Sequence, residues 1–177
     1  MGKNWMELLG QQSQISILME ANQYSKKYGL TLTEQDARVL ALERTNSLKE
    51  QKRVEFGQGI IPKLIYAFCD SAYITQENYA ETLIQLQELF YLYKNEMMDE
   101  ITDDELIHFM KEQFETICYG DLEYLAGTCL ENFAQAIRAG YQDYQKQDGY
   151  GAYQQLDEVP RWDYELYQQV LQDLCWR

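Results

Sequence analysis

Apolar residues return every three or four positions along nearly all of the 177-residue chain, and the strict alternation that a half-buried strand needs is rare. The pattern predicts seven helices. The first covers residues 14–28 on Ile15, Leu18 and Met19, and Gly29 is placed to end it in a left-handed C-cap. The second, residues 34–52, uses Ala37, Leu40, Ala41 and Leu48. A third follows FGQG, where Pro62 is tolerated because first-turn N–H groups have no helical partner; its stripe is Ile60, Ile61, Leu64, Ile65 and Phe68. The fourth, residues 76–96, carries Tyr79, Leu83, Leu86, Phe90 and Tyr93, and the run LFYLY makes its second half apolar on nearly every face. The fifth, residues 103–118, buries Leu106, Phe109, Met110 and Ile117, and the sixth, residues 122–139, buries Leu122, Leu125, Cys129, Phe133 and Ile137.

Past residue 139 the pattern changes. GYQDYQKQDGYGAYQQLDE is rich in Gln, Tyr, Gly and Asp and has no apolar stripe, so residues 140–160 read as a polar connector. Residues 161–177 hold a last amphipathic helix with Leu166, Tyr167, Val170, Leu171 and Leu174, a face that needs a surface to dock on. The expected fold class is therefore all-α, a single-domain bundle of six or seven helices, with residues 1–139 as the helical core.

Three similar stretches mark helix starts: Leu32-Thr33-Glu34-Gln35-Asp36, Ile74-Thr75-Gln76-Glu77-Asn78 and Ile101-Thr102-Asp103-Asp104-Glu105. Each threonine is an expected N-cap whose hydroxyl accepts from a first-turn N–H, and each preceding apolar residue can staple onto the fourth helical position. Only Glu105 fits the strict capping box; Asp36 and Asn78 are shorter. The third stretch also resembles the exit of an EF-hand. With Glu105 at the closing position, however, Lys94 falls on the first ligand position, Met98 on the third, and Asp99 where the turn glycine belongs. No metal is expected.

Charge narrows the partners. The chain holds 15 Lys+Arg against 29 Asp+Glu, a net −14, and the first 70 residues carry nine basic and eight acidic ones, so the excess lies beyond them. Such a field disfavours nucleic acid and anionic membranes and suits a basic or neutral protein. No apolar run is long enough for a membrane helix, and MGKNWMELLGQQ lacks a signal-peptide core, which points to a cytoplasmic protein. Cys69, Cys118, Cys129 and Cys175 are widely spaced without a C-x-x-C pair and read as small buried apolar residues.

Candidate chemistry is thin. Glu105-Leu106-Ile107-His108 spells the Glu-x-x-His of di-iron bundles, but that site needs two such motifs and the chain has one histidine. With Asp104, Lys111, Glu112 and Glu115 at helical spacing, His108 reads as part of a solvated face, and no histidine-based catalysis is expected. Glu77, Glu81 and Glu88 likewise read as solvated. Gly57-Gln58-Gly59 before a helix resembles the start of a phosphate loop without completing one, so Glu55, Gly57, Gly59 and Lys63 are ligand-binding candidates against the plainer reading of a packing turn. Fifteen tyrosines suit half-buried surfaces, and Tyr141, Tyr144, Tyr150 and Tyr153, with Leu166 and Val170, are partner-binding candidates. The terminal helix can cover its own domain or clasp a second copy, giving a monomer or a homodimer.

The blocks VEFGQGIIPKLIYAFCDSAYITQENYAETL (residues 54–83), NEMMDEITDDELIHFMKE (95–112) and GDLEYLAGTCLE (120–131) resemble a family of small uncharacterised bacterial proteins from Gram-positive anaerobes, over about residues 28–139. The resemblance implies a helical cytoplasmic protein and brings no assigned active site or cofactor. The function expected is that of a protein-binding or adaptor module with an acidic, tyrosine-rich surface, and the sequence leans away from an enzyme without deciding it. The alternative is a small-molecule binder or non-histidine enzyme with a pocket between helices three, four and six.

Overall fold

The structure is a computed structural model and describes residues 5–140. The candidates on residues 141–177 (Tyr141, Tyr144, Tyr150, Tyr153, Leu166 and Val170) lie outside the described residues. Among the described residues six helices follow one another: α1 (Trp5–Ser25), extended by a 3-10 turn (Lys26–Tyr28); α2 (Glu34–Glu50); α3 (Ile61–Phe68); α4 (Tyr79–Glu96); α5 (Asp103–Thr116); and a composite α6. The last opens as Leu122–Tyr124, passes through a π-helical stretch, Leu125–Leu130, and finishes as Glu131–Arg138. The protein is all-α, with no strand among the described residues. None of these helices is long and apolar enough to cross a membrane. Two compact units divide the chain, Met1–Tyr91 and Leu92–Arg177.

In the first unit α1 packs on α2 and α3. Its buried stripe is Gln14, Leu18, Ala21 and Ser25, whereas Ile15 is only half-buried and Met19 exposed, so the expected face is turned. Polar residues hold two of those positions because backbone carbonyls await them: Gln14 Nε2 donates to Gln58 O at 2.6 Å, and Ser25 Oγ to Leu30 O at 2.8 Å. Gly29 closes the 3-10 turn at φ 79°. The α3 stripe is as the pattern predicts, with Ile60, Ile61, Leu64, Ile65 and Phe68 all at 1% exposure or less.

Between the 3-10 turn and α2 the chain runs extended, and two carboxamides take the place of strand neighbours. Asn22 accepts from Leu32 N at 2.7 Å and donates to Leu32 O at 2.8 Å. Gln76 does the same to Thr31, at 2.9 Å in both directions. The backbone groups of both residues are thus satisfied without a sheet.

Thr33 and Thr102 are the N-caps of α2 and α5, and both complete a capping box. Asp36 therefore reaches the Thr33 N–H, at 3.0 Å, despite its shorter side chain. Thr75 departs from the expectation. Asn78 Oδ1 accepts from Thr75 N at 2.8 Å, but residues 76–78 form a turn and α4 opens only at Tyr79. Gln76, engaged with Thr31, belongs to that turn.

In the second unit α5 packs on α6, with the Phe109 and Phe133 rings stacked 4.0 Å apart at 14°. Arg138 returns to the end of α4, its Nη1 2.8 Å from Glu96 Oε2.

Candidate functional site

The FGQG turn is built around a carboxylate. Glu55 Oε1 accepts from Arg44 Nε of α2 at 2.7 Å, and Tyr91 OH of α4 lies 2.7 Å from both Glu55 oxygens. Arg44 and Glu55 are each 14% exposed at the side chain. Burial, reinforced by the negative charge of Glu55, pushes the Tyr91 phenol far above its ordinary range, so it stays a donor. Gly57 and Gly59 take φ 70° and 79°; a Cβ on Gly59 would strike Glu55 Oε1, whereas one on Gly57 meets open space. Lys63 is half-buried on α3 and engaged in the fold. The four ligand-binding candidates thus lie close along the chain, and the carboxylate among them is held by Arg44 and Tyr91.

An acidic face joins α2 and α4 in the same unit. Glu88 has its carboxyl pushed up by partial burial and by the charges of Glu43, Glu50 and Glu81. On α2, Val39 and Leu42 occupy the same arc as Glu43 and Glu50 and are 36% and 41% exposed. On α4, Glu81 and Glu88 flank Gln85, whose amide donates to Glu81 at 3.1 Å.

In the second unit the EF-hand-like segment closes on a cation of its own. Lys94, only 5% exposed, donates to Ile101 O at 2.7 Å and lies 2.9 Å from Asp103 Oδ1 and 3.7 Å from Asp99 Oδ1. Met98 and Asp99 both adopt left-handed backbone, φ 54° and 55°, to carry the chain round it. The residue that spoils the calcium pattern is the one that organises the loop. Among the described residues no group of three or more His, Cys, Asp or Glu is placed to hold a metal ion.

The π-helical stretch in α6 has a polar partner. Widening the helix to i→i+5 bonding disturbs its carbonyl ladder, and Tyr93 OH donates to Ala126 O at 2.7 Å. The same stretch carries Cys129, whose Sγ lies 3.6 Å from Cys118 Sγ just beyond α5. The two are eleven positions apart, a spacing that matches no dithiol motif, so nothing in the sequence pairs them. His108 is half-buried, with Nε2 3.5 Å from Glu112 Oε2; the expected solvated face is partly covered, as Asp104, Lys111, Glu112 and Glu115 are intermediate in exposure too.

These features define a small all-α protein with an acidic helical face, a turn organised on a half-buried carboxylate and a close pair of thiols. The chain belongs to DUF6323, a family of unknown function, whose model matches residues 17–143. That span contains the blocks that carried the resemblance and extends past them at both ends. No curated protein and no solved structure matches the chain.

Proposed function

We propose that the protein is a protein-interaction module whose α2–α4 face receives a basic, amphipathic segment of a partner. The observation that carries this reading is the gathering of Glu43, Glu50, Glu81 and Glu88 on that face beside the exposed Val39 and Leu42. Desolvation first, and then the nearby charges of Glu43, Glu50 and Glu81, hold the Glu88 carboxyl above its usual range, so these four carboxylates lie near enough to repel one another. A cationic partner relieves that repulsion, and the exposed Val39 and Leu42 give it apolar surface among the carboxylates. The net charge of −14 steers basic chains toward the molecule and repels nucleic acid.

Co-purification from native lysate tests it, comparing the wild type with a Glu43→Gln/Glu81→Gln/Glu88→Gln variant. The wild type is expected to retain a protein of basic net charge that raised salt releases. The triple variant, melting no lower than the wild type, is expected to lose it. Retention of the same partner by both proteins, or a partner that survives high salt, would remove the acidic face from the account.

A further inference from the structure

Cys118 and Cys129 sit with Sγ atoms 3.6 Å apart, 6% and 7% exposed, both as free thiols. A disulfide needs an S–S distance of about 2.05 Å, so the sulfurs have roughly 1.5 Å to travel. Both lie where the backbone is irregular. Cys118 follows the last turn of α5 and precedes Tyr119 and Gly120, two consecutive left-handed residues at φ 49° and 85°, while Cys129 belongs to the π-helical stretch. A π-helical insertion is a common feature of functional sites, and here it sets one thiol against another across the α5–α6 connection.

We propose that Cys118 and Cys129 form a reversible dithiol–disulfide couple, a modification site oxidised by hydrogen peroxide. The 3.6 Å contact admits either sulfur as donor; with Cys118 donating, its S–H stabilises a thiolate on Cys129 and keeps the Cys118 proton in place, and this is the order proposed. The Cys129 thiolate attacks one peroxide oxygen, the O–O bond breaks, and the departing hydroxide takes a proton to become water, leaving Cys129 as a sulfenic acid. The Cys118 sulfur then attacks the Cys129 sulfur. The S–S bond forms, the S–O bond breaks, and the hydroxyl leaves with the Cys118 proton as a second water. In total two thiols give up two electrons and two protons, and one peroxide becomes two waters. Exchange with a small dithiol reverses the bond. The low exposure of both sulfurs favours small diffusible reagents, peroxide as oxidant and a small dithiol as reductant, over bulky protein disulfides and thiols.

The experiment treats the full-length reduced protein with hydrogen peroxide, then denatures, alkylates and maps it by mass spectrometry. Two of the four cysteines are expected to escape alkylation, in a cross-linked peptide joining Cys118 to Cys129, while Cys69 and Cys175 stay alkylated. Dithiothreitol restores all four. In Cys118→Ser, Cys129 is expected to persist as a sulfenic acid that dimedone captures; in Cys129→Ser, Cys118 stays a thiol. The wild-type map stands without either variant should one fail to fold. Four alkylated cysteines after excess peroxide, a cross-link involving Cys69 or Cys175, or capture of a sulfenic acid on Cys118 in Cys129→Ser would overturn the proposal.

Discussion

Gly57 and Gly59 share a left-handed backbone but not a neighbourhood, and that difference is measurable. Any L side chain at φ near 70° is strained by about 1–2 kcal/mol, which is the whole expected cost of Gly57→Ala because its Cβ meets nothing. At Gly59 the new methyl also displaces Glu55 from Arg44 and Tyr91, and hydrogen bonds to a charged group add about 1.5–3 kcal/mol each. Urea denaturation should therefore find Gly59→Ala the more destabilising by a clear margin. Equal losses would mean that the carboxylate simply moves aside. The glycines were legible in the sequence as a tight turn before α3. What the turn wraps was not, because Arg44 and Tyr91 come from helices 11 and 36 residues away from Glu55 and no local pattern links them.

At the scale of the element, helix starts were easier to read than helix faces. Thr33 and Thr102 cap as their sequences suggest, because capping depends on four consecutive residues and on nothing distant. Thr102→Ala and Thr33→Ala should each cost about 1 kcal/mol in chemical denaturation. At the α4 start the sensitive position is expected to be Asn78, whose Oδ1 accepts from the Thr75 N–H, so Asn78→Ala should exceed Thr75→Ala; the reverse order would restore Thr75 as a conventional cap. The face of α1 was misread because binary patterning assigns Gln14 and Ser25 to water, while tertiary structure spends them on the carbonyls of Gln58 and Leu30. The π-helical stretch left no local signature either. The tyrosine bonded to its Ala126 carbonyl lies 33 residues upstream, and the approach of Cys118 and Cys129 is likewise hidden from local pattern.

For the whole molecule, charge sets the response to solution conditions. The folded-state carboxyl of Glu88 titrates above its unfolded value, so its favourable contribution is complete below the unfolded value and is lost as pH rises through the folded one. Moving down from neutral pH should recover it. In alkali the tyrosines act the same way: burial pushes Tyr79 and Tyr93 from 10.0 up to about 12, so stability is full below pH 10 and falls as pH climbs toward about 12. Melting temperature against pH, read beside tyrosine absorbance, should show the alkaline loss coinciding with a late-ionising tyrosine population; loss completed before those tyrosines ionise would assign it to another group. Added salt should raise the melting point at neutral pH by screening the −14 charge. Lys94 follows a different rule. A loop held by calcium is only as firm as the calcium level around it, because occupancy follows mass action. The ammonium that gathers Ile101, Asp99 and Asp103 is bonded to the chain and cannot be diluted, chelated or exchanged. The cation that shapes the bend between α4 and α5 is therefore always present at one per chain, whatever the calcium level around it.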